Sequence, residues 1–83
     1  MKHKYVLSIL TEETLDIFQR ISIVFSRNRL FIQHLNFESI GYGKGCVFNV
    51  ETRTDEKTIE RIVKQLESIF DLLEVKIVDK VLL

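Results

Sequence analysis

The sequence contains no proline and only three glycines in 83 residues, so its turns fall to Gly, Asn, Asp and short polar residues. It has one cysteine, Cys46, which excludes an internal disulfide and points to a reducing compartment. No apolar run approaches the ~20 residues needed to span a bilayer. Met1-Lys2-His3-Lys4 is basic, but Tyr5 to Leu10 is too short for a signal-peptide core and includes Ser8. These absences give the expectation of a cytoplasmic protein with no membrane partner. Net charge is missing too, because twelve basic and twelve acidic side chains cancel. A neutral chain has no long-range attraction to nucleic acid, and no long-range repulsion between its own copies.

Apolar residues make up 46% of the chain and charged ones 29%, a balance that favours a packed core over disorder. The length suits one domain, residues 1–83, with a core over about 4–78. A chain this short leaves roughly a third or more of its unfolded surface exposed on folding. Some of the apolar excess is therefore expected to be covered by a partner.

Periodicity divides the chain into six elements. Tyr5 to Leu10 is apolar on both alternating faces, which reads as a central strand. Thr11-Glu12-Glu13-Thr14 carries hydroxyls and acids suited to a helix start. Leu15, Phe18, Ile21, Val24 and Phe25 then recur at helical spacing, predicting a helix over about Thr14 to Asn28. Phe31 to Ile40 reads as a second strand. Gly41-Tyr42-Gly43-Lys44-Gly45 reads as a hairpin turn, and Cys46 to Thr52 as a third strand. A second helix starts at Thr54-Asp55-Glu56 with the stripe Ile59, Ile62, Val63, Leu66, Ile69 and Phe70. Asp71 and Leu72 turn the chain into a fourth strand over Leu73 to Val78. The order β-α-β-β-α-β predicts an α+β, ferredoxin-like sandwich: a four-stranded antiparallel sheet with both helices on one face.

Chemistry-bearing constellations are sparse. A phosphate-binding glycine loop must lead into a helix N-terminus, whereas GYGKG lies between two strands. His3, His34 and Cys46 are the only soft-ligand candidates, and no two lie within four positions, so neither metal nor cofactor is expected. Ser8, Ser22, Ser26, Ser39 and Ser68 are all remote from both histidines in sequence, which leaves no nucleophile and base pair. Thr11 to Leu15 offers two glutamates and no arginine for an anionic substrate. No catalytic residue is expected. Arg20, Arg27 and Arg29 give the first helix a basic edge that reads as a solvated face.

An RNA-recognition motif shares this element order and stacks bases on aromatic rings of its open sheet face. Lys44-Gly45-Cys46-Val47-Phe48 partly matches its basic-Gly-aromatic pattern, and Tyr5 would be a second ring. Cys46 and Glu51 stand where further aromatics belong. A single-stranded RNA binder is the alternative reading.

Three stretches carry a family resemblance. Val24-Phe25-Ser26-Arg27 followed by Ile32 and Leu35 resembles the end of helix one and start of strand two of an ACT domain. Ile62-Val63-Lys64-Gln65-Leu66 with Ile69, Asp71 and Val75 resembles its second helix and exit into strand four. Tyr5 to Leu10 fits its first strand. More specifically, the chain resembles the N-terminal half of the acetolactate synthase regulatory small subunit.

The resemblance implies a non-catalytic regulatory module of branched-chain amino-acid biosynthesis, paired side by side into an eight-stranded sheet. It implies a homodimer that binds Val, Leu or Ile at the interface and acts on a catalytic partner subunit. The positions matching the ligand site are Glu12, Ile17, Phe18 and Ile32. Four residues depart from the pattern: Leu15-Asp16 replaces Pro-Gly at the helix start, Arg29 replaces Gly, and Phe31 replaces Asn. Asp16 brings a negative charge toward any ligand carboxylate. A degenerate ACT domain serving only as an interaction or dimerisation module is a further alternative reading.

Overall fold

Tyr5, Leu7, Ile9 and Thr11 alternate with half-buried neighbours along β1 (His3–Thr11), and all four are buried. The computed structural model describes residues 2–41 and 43–83 of the chain. After β1 come α1 (Ile17–Arg27), β2 (His34–Gly41), β3 (Gly45–Thr54), α2 (Glu56–Glu67) and β4 (Leu72–Leu82). The strands form one antiparallel sheet in the order β2-β3-β1-β4, so β1 and β3 are interior and β2 and β4 are edges. The β-α-β-β-α-β order and the ferredoxin-like α+β architecture are those expected from periodicity.

Cross-strand register assigns the faces. Leu7 opposes Val50 and Ile9 opposes Phe48, while Phe48 opposes Phe37 on the edge strand. Leu7, Ile9, Phe48 and Val50 join Ile17, Ile21, Val24 and Phe25 of α1 and Ile59, Ile62 and Leu66 of α2 in one core, while Phe37 stays about half exposed at its margin. Both helices therefore cover the same face of the sheet. Burying such side chains contributes roughly 1.5–3 kcal/mol each, which makes this layer the main source of stability.

Helix ends follow local chemistry. Asp55 caps α2, its carboxylate accepting the Thr58 N–H at 2.7 Å. At the C-terminus of α1 the Arg29 N–H donates to the Ser26 carbonyl and the Leu30 N–H to the Phe25 carbonyl, both at 3.0 Å. This is the Schellman closure, with Arg29 in the left-handed position at φ 55°. Glycine normally occupies that position, which explains why the family pattern has Gly there.

Several expected boundaries are corrected. The first helix starts at Ile17, not Thr14. The Thr14 carbonyl accepts from the Ile17 N–H in a turn, and Leu15 is fully solvent-exposed rather than part of the stripe. Strand two starts at His34, because the Phe31 carbonyl is taken by the Thr52 hydroxyl at 2.8 Å. Phe31 and Ile32 precede it in the connection, with Phe31 exposed and Ile32 packed against the core. Helix two ends at Glu67, where the Ile69 N–H turns back to the Leu66 carbonyl; Ile69 packs inward and Phe70 projects into solvent. The fourth strand runs to Leu82, four residues beyond the expected end. Its register against β1 shifts twice, leaving Leu73 and Val78 unpaired. The expected hairpin is present: the Lys44 N–H donates to the Gly41 carbonyl at 3.1 Å, and Gly41 pairs with Gly45. Tyr42 of that turn lies outside the described residues.

Among the described residues, no helix is long and apolar enough to cross a membrane.

Candidate functional site

The turn between β1 and α1 frames an open cavity of about 540 Å³. Ile17 and Phe18 contribute from the first turn of α1, Leu35 and Phe37 from β2, and Cys46 and Phe48 from β3. Glu13, Thr14 and Leu15 complete it from the turn. The walls are apolar and the polar groups sit together in the turn, an arrangement that suits a ligand with one apolar and one charged end.

Three features at the polar end or next to it bear on what it can hold. First, the hydroxyl Oγ1 of Thr14 is buried without a hydrogen-bond partner, a costly condition that a ligand polar group would relieve. Second, the N-terminus of α1 has no side-chain cap. Asp16 stands at the capping position, but its carboxylate takes the Arg20 guanidinium at 3.0 Å instead. Uncapped N–H groups at a helix start favour an anion there. Third, Arg20 also binds Asp71, tying α1 to the turn before β4. The Asp16 charge is thus held by a cation one helical turn away.

The sequence-derived site residues are not all brought together. Ile17 and Phe18 line the cavity. Glu12 is exposed on a neighbouring hollow with Gly43, Lys44, Gly45 and Leu73, its N–H donating to the Asp71 carbonyl at 2.8 Å. Glu13, the next acid, lines both hollows. Ile32 does not line the cavity; it packs against the core before β2 begins. The sequence reading missed Phe37 and Cys46 as wall residues. Their signal was the alternation of β2 and β3 combined with their adjacency, visible once Phe37 is opposite Phe48.

Cys46 is buried, and burial raises the pKa of its thiol, with the Glu13 carboxylate adding to the effect. It serves as a wall and not as a nucleophile. The two rings expected to stack on RNA are not open either. Tyr5 and Phe48 are 1% and 2% exposed beneath the helices, so neither ring is open on the free sheet face. That face carries Lys4, Val6, Ser8 and Leu10 of β1 opposite Arg53, Glu51, Asn49 and Val47 of β3.

Comparison with known proteins gives the architecture its place. No protein-family model matches the sequence, and no curated protein matches it. Solved structures do match. The crystal structure of the acetolactate synthase small subunit from Thermotoga maritima has a TM-score of 0.80 at 22% identity, covering 92% of this chain. The crystal structure of the ACT domain from GTP pyrophosphokinase of Chlorobium tepidum has a TM-score of 0.77 at 12% identity, covering 92% of this chain and 97% of that one. The fold is that of an ACT domain. An uncharacterized protein from Thermotoga maritima has a TM-score of 0.75 at 15% identity over 95% of this chain and 100% of its own. The chain spans 47% of the small subunit it resembles. The ACT fold places the cavity at the first strand-to-helix turn, beside the open β2 edge.

Proposed function

We propose that this ACT domain is a non-catalytic regulatory module that binds an apolar α-amino acid in the cavity at the β1–α1 turn. The observation that carries the reading is one cavity joining apolar walls to an unsatisfied polar end. The ligand carboxylate would meet the uncapped start of α1 and the Thr14 hydroxyl. Its ammonium group would meet Glu13, and its side chain would lie against Phe18, Phe37 and Leu35. The resemblance to the acetolactate synthase small subunit implies Val, Leu or Ile and a role in branched-chain amino-acid biosynthesis in the cytoplasm.

The module works as a homodimer paired side by side at the β2 edge. Phe37 and Ile40 of that edge are about half exposed, and the cavity opens beside it, so a second protomer would roof the ligand. A bound amino acid would then favour one dimer geometry, and a catalytic partner subunit would respond through its own differential affinity for that geometry.

A thermal-shift and calorimetric screen of the full chain against the twenty amino acids tests the reading. A specific stabilisation by an apolar amino acid supports it through linkage. Sedimentation at micromolar concentration tests the pairing, which a strictly monomeric protein would refute. A dimer that answers to no amino acid would leave an interaction module only.

A further inference from the structure

Three phenylalanine rings, Phe18, Phe37 and Phe48, meet at the cavity wall. Phe48 forms the floor at 2% exposure. Phe18 lies nearly parallel to it, with ring centroids 6.1 Å apart and planes 9° apart. Phe37 leans on it from β2 at 5.0 Å and 51°. The two outer rings come from different elements and converge on one buried ring. Phe18 remains 47% exposed and Phe37 54% exposed, so each has ring surface not used by the core.

We infer that this site, on the amino-acid reading proposed above, selects an aromatic side chain, binding phenylalanine ahead of valine, leucine or isoleucine. Aromatic rings attract one another edge-to-face or offset-stacked at centroid distances of about 4.5–7 Å, beyond the gain from buried area. A ligand ring entering between α1 and β2 would meet the free surfaces of Phe18 and Phe37 together. A branched aliphatic side chain gains area there and nothing from ring geometry. Cys46 adds a sulfur to the same wall, a favourable neighbour for an aromatic edge. Size argues in the same direction. A phenyl group fills more of a cavity of about 540 Å³ than an isopropyl group, leaving less apolar wall against water. The polar end is indifferent to this choice, since Glu13, Thr14 and the start of α1 meet only the groups every amino acid shares.

Calorimetric titration of the full chain with L-Phe, L-Val, L-Leu and L-Ile tests the selection. L-Phe is expected to bind about tenfold tighter than L-Val and severalfold tighter than L-Leu. In Phe18→Leu and Phe37→Leu variants, whose folding circular dichroism verifies, the advantage of L-Phe should shrink toward unity. Equal or tighter binding of an aliphatic amino acid overturns ring selection and leaves the amino-acid reading standing. An L-Phe preference unchanged in both variants overturns the assignment to these rings. Failure of all twenty amino acids to bind overturns the underlying reading together with the selection.

Discussion

A Cβ atom placed on Gly45 would lie 2.3 Å from the carbonyl oxygen of Thr11. The hairpin between β2 and β3 is therefore pressed against the end of β1, at the point where the chain leaves the sheet for the candidate site. Gly45 also sits at φ 101°, where an L side chain is strained in any surroundings. Gly45→Ala is expected to cost about 3 kcal/mol, from clash and backbone strain together. Gly43, at φ 70°, has open space around its added Cβ, and its alanine variant should cost only about 1 kcal/mol. Urea denaturation of both variants checks the contrast, and equal losses would refute the packing argument.

Arg29 pays the left-handed penalty that glycine would avoid. Its N–H already completes the C-terminal closure of α1, so replacing the side chain leaves that hydrogen bond in place. Arg29→Gly should raise stability by about 1 kcal/mol, the gain in φ freedom being partly offset by greater unfolded-state entropy. The gain should appear as a higher denaturation midpoint with unchanged slope.

The fold was legible because its core residues repeat at clean periods. Tyr5, Leu7 and Ile9 announce a strand, and Ile59, Ile62 and Leu66 announce a helix face. Legibility failed where an apolar residue continues a period beyond its element. Leu15 and Phe70 fit helical spacing, yet backbone turns at Thr14 and Leu66 place both in solvent. The site was legible in part. Ile17 and Phe18 were reached through the resemblance to an ACT domain, not through periodicity, and both line the cavity. Phe37 enters only through cross-strand pairing, and Arg20 reaches Asp71 across 51 positions, a contact that no local pattern encodes.

The cap of α2 makes acid stability depend on Asp55. Its carboxyl pKa is lowered below the ordinary 3.8, first by the hydrogen bond from the Thr58 N–H and then by the Thr58 side chain. A folded-state pKa below the unfolded one means the contribution is complete above the unfolded value and is lost as pH falls through the folded one. Asp55→Ala should lower Tm by a few degrees at pH 7, while Asp55→Asn, which still caps, should lower it less. The difference between wild type and Asp55→Ala should shrink as pH falls below about 3.8. A difference constant down to pH 2 would refute the cap.

Cys46 provides an internal reporter of the cavity. Burial raises its thiol pKa and hides the sulfur, so an aromatic disulfide reagent should modify the native protein far more slowly than the urea-unfolded chain. A saturating ligand in the same cavity should slow the reaction further, because Cys46 lines the wall. Native modification at the unfolded rate would show that the thiol is open. No ligand effect would place any bound amino acid elsewhere.

Arg20 links Asp16, at the start of α1 next to the cavity, to Asp71 in the turn before β4. It holds Asp16, which would otherwise stand at the uncapped start of α1 with its charge free, and it holds the largely buried carboxylate of Asp71. Arg20→Gln removes the compensating charge from both. Stability should fall, because Asp71 loses its cation, and amino-acid affinity should fall as well, because the Asp16 carboxylate then opposes that of the ligand. The double variant Arg20→Gln with Asp16→Asn separates the effects: it should recover affinity while remaining less stable than wild type. Thermal melting and calorimetry read the two quantities independently. Recovery of neither, or of both together, would show that Arg20 acts on the site through the fold and not by holding Asp16 away from it.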